Sequence, residues 1–146
     1  MAVSDKAQLA EMMKAMSGHA YLATCDGDQP VVRSVSPIVE KDLSLWVTTS
    51  AHANKVKQIR KNPKVCLFFV EQPTGEKAAA AYGKAEIVSD LQTKKRVWAL
   101  ATFDLLQYFP DGPESAAFSL LKVVPDEVRW RDSWTGGEKT YRPAKP

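Results

Sequence analysis

The sequence contains no apolar run approaching the roughly 20 residues that a membrane-spanning helix needs. Its first residues, MAVSDKAQLAEMM, also lack the basic and then apolar pattern of a secretory signal. We therefore expect a cytoplasmic protein with no membrane partner. With 146 residues, 45% of them hydrophobic, the chain can form one domain over residues 1–146 with a real core. Its ends, residues 1–6 and 135–146, are expected to be the mobile parts.

Cysteine and histidine are scarce, with two residues of each type. Cys25 and Cys66 are too few and too far apart in sequence for a disulfide scaffold or a CxxC metal site. Both lie in apolar strand patterns, which favours buried, inert thiols over a redox pair. His19, His52 and two separated cysteines do not have the spacing of a zinc site, so we predict no metal.

The common catalytic motifs are also missing. The sequence has no G-x-S-x-G, no H-E-x-x-H, no Walker A loop and no G-x-G-x-x-G. It offers no recognisable set of nucleophile, histidine and carboxylate, so no catalytic residue is named. The chemistry is therefore expected to belong to a cofactor.

Positive charge is not concentrated strongly enough to indicate a nucleic-acid-binding surface. The net charge is +3, and the basic residues cluster in KVKQIRKNPK, residues 55–64, with no aromatic residue between them. A solvated helix face explains this cluster better than a nucleic-acid surface. We predict no nucleic-acid partner.

Patterns of apolar residues predict a mainly β protein with inserted helices. Strands are expected at His19–Cys25, Pro30–Val39, Leu43–Val47, Val65–Val70, Ala78–Val88, Phe118–Val124 and Glu127–Arg131. Helices are expected from a cap at Ser4 to Gly18, over residues 50–62, and over Leu91–Tyr108, with a helical turn at Glu114–Ala117. Gly83, inside a long strand, marks a bulge or bend. Six to seven antiparallel strands at this spacing indicate a small barrel.

The stretch WVTTSAHANKVKQIRKNPKVCLFF, residues 46–69, is the most informative part of the chain. A strand ends in Thr48, Thr49 and Ser50, and a helix with Lys55 in its first turns follows. Hydroxyls and free backbone N–H groups at a helix N-terminus form an anion site. Lys55 adds a charge there, and Arg33 on the preceding strand can add a planar fork of donors. The pattern predicts a phosphate site, and His52 in the same loop is a weaker candidate.

These features occur in the order found in one known family. The residues that carry the resemblance are Arg33, Trp46–Thr49, Lys55, Asn62-Pro63, Tyr82–Val88, Asp90, Trp98 and Pro125–Trp130. Together they resemble the pyridoxamine 5'-phosphate oxidase-like family, and most closely its short, general-stress-protein-like members. The resemblance implies an FMN-binding split β-barrel that forms a homodimer with FMN at the subunit interface.

The resemblance also assigns roles to residues. Arg33 and Lys55 match the family's phosphate-binding pair, and Thr48 and Thr49 match the strand end beside the flavin. Ser50 lies in the connecting loop, and Trp130 matches a tryptophan that approaches the flavin from the partner subunit. The function implied is an FMN-dependent oxidoreductase with an unknown small-molecule substrate. A non-enzymatic flavin-binding stress protein, or a split barrel that binds deazaflavin or haem, are the alternatives.

The sequence departs from the true oxidases at three places. Asn54 stands where they have an arginine before the lysine. Ala78–Ala81 occupy positions where they have a polar flavin contact. Their C-terminal Arg-x-His motif is replaced by Trp134-Thr135-Gly136-Gly137. Oxidation of pyridoxamine phosphate itself is therefore not expected.

Overall fold

The computed structural model describes the backbone of residues 2–143 and the side chains of residues 6–143. The helices in this part are α1 (Ala2–Ala15), α2 (Asn54–Lys61) and α3 (Leu91–Leu100), with 3₁₀ turns at Leu105–Gln107 and Gly112–Glu114. The strands are β1 (Ala20–Asp26), β2 (Gln29–Val35), β3 (Ile38–Val39), β4 (Leu45–Ser50), β5 (Lys64–Val70), β6 (Ala78–Val88), β7 (Phe118–Val123), β8 (Glu127–Arg131) and β9 (Lys139–Tyr141). None of the helices in this part is long and apolar enough to cross a bilayer.

The strands form one curled antiparallel sheet. Seven of them follow the order β2-β1-β5-β6-β7-β4-β3, and β8 pairs with β6 and carries β9. The long strand β6 changes partner at Gly83: Ala78–Tyr82 pairs with β8, and Ala85–Val88 pairs with β7. A Cβ atom at Gly83 would lie 3.1 Å from the carbonyl oxygen of Val124, so the close backbone approach at this fork favours glycine. The predicted mainly β split-barrel fold is confirmed.

The main core lies on the concave side of the sheet. Alternate residues of the strands point inward, among them the fully buried Leu22, Leu67 and Phe69. Helix α1 covers this core with Leu9 and Met13, and helix α2 contributes Val56 and Ile59. All of these residues belong to one buried cluster. Because α2 is anchored by its apolar face, the positions of its polar residues are fixed relative to β1 and β2.

A second, smaller core lies on the other side of the sheet. Helix α3 covers the outer face of β4 and β7 there, where Trp46, Val97 and Phe118 pack together. Asp90 caps α3 as its sequence predicts, accepting a hydrogen bond from the Thr93 N–H at 3.0 Å. The two cores hold β4 between them, and β4 leads directly to α2.

A predicted strand and a predicted helix are each interrupted in the structure. The expected strand Pro30–Val39 is broken at Pro37, which lacks an N–H donor, and its two parts pair with different neighbours, β1 and β4. The expected helix Leu91–Tyr108 ends at Leu100. Ala101 is extended, and the Asp104 carboxylate caps a separate 3₁₀ turn by accepting from Leu106 N–H. A local side-chain cap thus competes with continuation of the helix.

The chain ends contain elements that the sequence pattern did not predict. Helix α1 begins at Ala2, and the side chain of Ser4, its expected cap, lies outside the described residues. In the polar tail, Lys139–Tyr141 pairs with β8 as strand β9, and residues 144–146 lie outside the described part. Trp134 is fixed to the loop before β6, because its indole N–H donates to the Thr74 carbonyl at 3.1 Å.

The sheet half formed by β2, β1, β5, β6 and β8 leaves its outer face open to solvent. Apolar side chains protrude from four adjacent strands: Val32 is 65% exposed, Tyr21 36%, Phe68 37% and Tyr82 38%. The pairing register places Tyr21 opposite Phe68, and Phe68 opposite Ala80. We call this surface the outer apolar face.

Candidate phosphate and cofactor site

Arg33 is held in a fixed orientation at the concave edge of the sheet. Its Nη1 group donates to the Leu22 carbonyl at 3.1 Å and to the Thr24 hydroxyl at 2.8 Å. Its Nη2 group donates to the Gln58 amide oxygen at 2.9 Å. Thr24 in turn donates to the same oxygen at 2.6 Å. The guanidinium is thus braced by β1 and by α2.

Lys55 lies half-buried near the beginning of α2, on the same side as Arg33. Its pKa is lowered from the ordinary lysine value, first by burial and second by the positive charge of Arg33. Burial also lowers the pKa of Arg33. The fold therefore places the two cations close enough for the charge of Arg33 to act on Lys55.

No carboxylate neutralises this pair within the described residues. The ion pairs formed by residues 6–143 involve neither Arg33 nor Lys55. Arginine has five N–H donors, and three of the Arg33 donors are used by Leu22, Thr24 and Gln58. Two donors remain for an external acceptor. An anion with several oxygens fits this donor set, because it would relieve the repulsion and accept from both cations.

The three hydroxyl residues at the end of β4 do not all face this pair. Strand β4 continues through Ser50, which pairs with Phe118, so successive side chains alternate between the sheet faces. Thr49 is buried on the concave side, and its hydroxyl donates to the Ser50 carbonyl at 3.1 Å. Thr48 and Ser50 point to the opposite face. Only Thr49 shares the side of Arg33.

The turn between β4 and α2 lies further along the chain than the sequence indicated, at residues 51–53. Helix α2 begins at Asn54 rather than near residue 50, and its cap position, Ala53, makes no side-chain capping bond. The Ser50 hydroxyl accepts instead from the backbone N–H of His52 at 3.3 Å. The side chains of His52 and Asn54 are exposed. No side chain therefore caps the beginning of α2, where the positive end of the helix dipole lies.

Trp130 lies far from the cation pair within one chain. It is opposite Ala79 on β6, and the same row of the sheet continues through Phe69 and Ala20 to Val35. Four strand spacings of about 4.8 Å place it roughly 19 Å across the sheet from β2. Its ring carries the Lys139 ammonium group at 4.5 Å. Trp130 is therefore separated from Arg33 by the width of this half of the sheet.

Sequence reasoning missed Thr24 and Gln58, which orient Arg33. Gln58 was detectable in part, because it lies three residues after Lys55 and so shares its helix face. Thr24 is buried two residues beyond Leu22, the partner of Arg33 across the hairpin. The strand alternation placed it on the right face, but its contact with α2 depends on the tertiary fold.

No metal centre is visible in residues 6–143, where no three His, Cys, Asp or Glu side chains come together. Cys25 and Cys66 are half-buried free thiols, and burial raises the pKa of Cys66. The site is therefore built from cations and neutral hydrogen-bonding groups.

Comparison with solved structures shows the same fold in several proteins. General Stress Protein 26 from Bacillus anthracis is 22% identical, with a TM-score of 0.74 over 93% of this chain and 99% of that one. A protein related to general stress protein 26 from Clostridium acetobutylicum is 19% identical, with a TM-score of 0.77 over 97% and 96%. A heme binding protein from Mycobacterium smegmatis is 16% identical, with a TM-score of 0.73 over 94% of this chain and 57% of that one.

The sequence itself was also compared with protein families and with curated proteins. No curated protein matches it. The family model described as pyridoxamine 5'-phosphate oxidase matches residues 6–132, which include every strand from β1 to β8 and the cation pair. The chain therefore belongs to the pyridoxamine 5'-phosphate oxidase family.

Proposed function

We propose that this protein binds FMN through Arg33 and Lys55 and acts as an FMN-dependent oxidoreductase. The observation that carries the proposal is the pair of partly buried cations with no carboxylate partner among the described residues. Two charge-assisted hydrogen bonds contribute about 1.5–3 kcal/mol each. With burial of the flavin ring, they are enough for micromolar affinity, about −8 kcal/mol.

Each residue of the site has a distinct part in this proposal. Arg33 and Lys55 bind the phosphate, while Thr24 and Gln58 hold Arg33 in place. The backbone N–H groups at the beginning of α2 add donors. Thr49 lines the concave side, whereas Thr48 and Ser50 are expected to contribute through their main chain. The bound flavin would supply the capacity to accept and release electrons, which the protein side chains lack.

The site is proposed to be completed by a second copy of the chain. The outer apolar face exposes Val32, Tyr21, Phe68 and Tyr82 on adjacent strands, and contiguous apolar surface of this kind is characteristic of interfaces. In the proposed symmetric dimer, Trp130 of the other copy approaches the ligand on Arg33, as the family resemblance implies. The homodimer and the FMN site are therefore parts of one proposal.

The absorption spectrum of the purified protein, followed by an FMN titration, tests the cofactor assignment. We expect flavin absorption, or quenching of FMN fluorescence with one FMN bound per chain. A haem or deazaflavin spectrum, or no flavin binding at all, would overturn it. Reduction of the bound FMN by a nicotinamide donor then distinguishes an enzyme from a protein that only binds flavin.

We predict that pyridoxamine phosphate is not an efficient substrate. A phosphorylated substrate needs its own cationic clamp, and the C-terminal cations are already engaged. Arg131 donates to the Gly75 carbonyl at 2.9 Å. Lys139 pairs with Asp132 at 2.7 Å, and Arg142 pairs with Glu127 at 2.6 Å. Aerobic assays of pyridoxal phosphate formation should give rates at least about 100-fold below the ~10 s⁻¹ of a median enzyme. A rate near 10 s⁻¹ would show that the clamp exists.

We predict that FMN affinity falls at alkaline pH. In the free protein Lys55 loses its proton below the ordinary lysine pKa, because of burial and the charge of Arg33. A bound phosphate favours the protonated form, so affinity is constant while Lys55 is charged and decreases as the pH rises through its lowered pKa. Fluorescence titrations between about pH 7 and 9.5 measure this. Lys55→Arg keeps its charge and should remove the alkaline decrease; a decrease that persists in Lys55→Arg would assign it to another group.

A further inference from the structure

A second concave site lies beyond the end of β2, and no step of the proposed phosphate binding uses it. Its walls come from the end of α1, from β3 with its flanking residues, and from the segment after α3. Its cavity volume is about 770 Å³, which is within the range of small-molecule sites. We call it the β3 pocket.

Most of the surface of the β3 pocket is apolar, although seven of its thirteen lining residues are polar or charged. The apolar side chains of the lining are Pro37, Ile38, Val39, Leu100 and Phe103. Leu100 is 42% exposed, although it is a large aliphatic residue at the end of α3. The early end of α3 is what exposes Leu100 and brings Phe103 into the wall. The apolar character of this pocket thus depends on the end of α3 at Leu100, which the sequence did not predict.

The charges around the β3 pocket cancel rather than converge. Glu40 accepts from both terminal nitrogens of Arg96, at 3.0 and 3.1 Å, and from the Trp46 indole at 2.6 Å. These bonds lower its pKa, so it stays ionised and paired. Asp42 accepts from the Ser44 N–H at 2.9 Å, which lowers its pKa.

The basic residues of the lining do not form a clamp. Lys14 and Lys41 are both exposed, and two carboxylates, Glu40 and Asp42, line the same pocket. A phosphate or carboxylate entering here would meet as many negative as positive groups. This contrasts with Arg33 and Lys55, which form no ion pair with a carboxylate of residues 6–143, and it makes an uncharged ligand the better match.

The β3 pocket is also close to the proposed cofactor site along the chain. Ser36, which lines the pocket, follows Arg33 by three residues of extended chain, a distance of about 10 Å at ~3.3 Å per residue. If a ligand whose phosphate is bound at Arg33 extends along β2, a molecule in the pocket would lie beside the far end of that ligand.

We propose that the β3 pocket binds an uncharged, predominantly apolar small molecule, which is the reactant that meets the flavin. The identity of the pocket as the reactant site rests on the proposed function, whereas its ligand selectivity does not. The lining selects against phosphorylated and carboxylated molecules, and Leu100 and Phe103 are the residues that determine this selectivity.

Two naphthalene dyes test the selectivity directly. Prodan is uncharged, and 8-anilino-1-naphthalenesulfonate carries one negative charge; both become more fluorescent in apolar sites. The full-length protein should bind prodan saturably at one site per chain, at least about tenfold more tightly than the sulfonate. Leu100→Lys should weaken prodan binding and tighten sulfonate binding, each by about tenfold, or ~1.4 kcal/mol.

Leu106→Lys is the matched control, since Leu106 is 53% exposed and lies outside the pocket lining. It should bind both dyes as the unmodified protein does. Absence of prodan binding, or equal effects of Leu100→Lys and Leu106→Lys, would overturn the proposal. Thermal unfolding confirms that each variant is folded. FMN titrations of the same samples separate the FMN site from the β3 pocket proposal. FMN can fail to bind while the dye selectivity holds, and FMN can bind while the dye selectivity fails.

Discussion

Replacing Arg33 and Lys55 together by alanine is expected to weaken FMN binding at least about 100-fold. The double variant removes two charge-assisted contacts to the phosphate, worth about 1.5–3 kcal/mol each, and 100-fold corresponds to ~2.8 kcal/mol. Fluorescence titration with FMN measures the loss. The loss of affinity should come from the phosphate contacts, because neither side chain is expected to contact the flavin ring.

The control for this experiment is Arg60→Ala with Lys61→Ala. These residues are exposed in the last turn of α2. The control therefore also removes one arginine and one lysine charge, but outside the site. Replacing Arg33 also removes its hydrogen bonds to Thr24 and Gln58. Lys55→Ala alone is therefore needed as a variant that leaves these hydrogen bonds intact. If Lys55→Ala and the folded double variant both bind FMN like the control, the phosphate site lies elsewhere.

Replacing Phe68 by glutamate is expected to dissociate the dimer. Phe68 is at the centre of the outer apolar face, between Tyr21 and Ala80 on the neighbouring strands. A carboxylate buried there in an interface would be unpaired, which costs several kcal/mol, so the dimer dissociation constant should rise at least about 100-fold. Light scattering should change from about twice the 16.2 kDa chain mass to the chain mass itself.

Tyr108→Glu is the matched control, because Tyr108 is 65% exposed in the loop after α3 and lies outside the sheet. It should remain dimeric. If a second copy supplies Trp130, the Phe68→Glu monomer should also lose FMN affinity. An unmodified protein that is already monomeric with FMN present, or a Phe68→Glu variant that stays dimeric, would contradict the proposed interface.

The sequence indicated the candidate site well where the signal was local. Strand alternation placed Arg33 with Val31 and Val35 on one face, and helical spacing placed Lys55 near the beginning of α2. Both placements agree with the structure. The strand-to-helix order of β4 and α2 was also readable from the residues alone. Gly83 was predicted as a bulge or bend, and it lies where β6 changes partner.

The features that the sequence did not reveal depend on contacts between distant segments. The brace of Arg33 by Gln58 joins residues 25 positions apart, and strand β4 extends to Ser50 because β7 pairs with it. The end of α3 at Leu100 has no glycine or proline to mark it. It is set by the local Asp104 cap and by the burial of Lys94 and Val97 on one helix face. Such competition between local and tertiary interactions leaves no periodic signal.

A comparison of FMN with riboflavin tests the central claim most directly, because the two ligands differ only in the phosphate. If Arg33 and Lys55 bind the phosphate, the unmodified protein should bind FMN at least about 100-fold more tightly than riboflavin, and Arg33→Ala with Lys55→Ala should reduce that preference to near unity. Equal affinities of the unmodified protein for FMN and riboflavin would contradict the account.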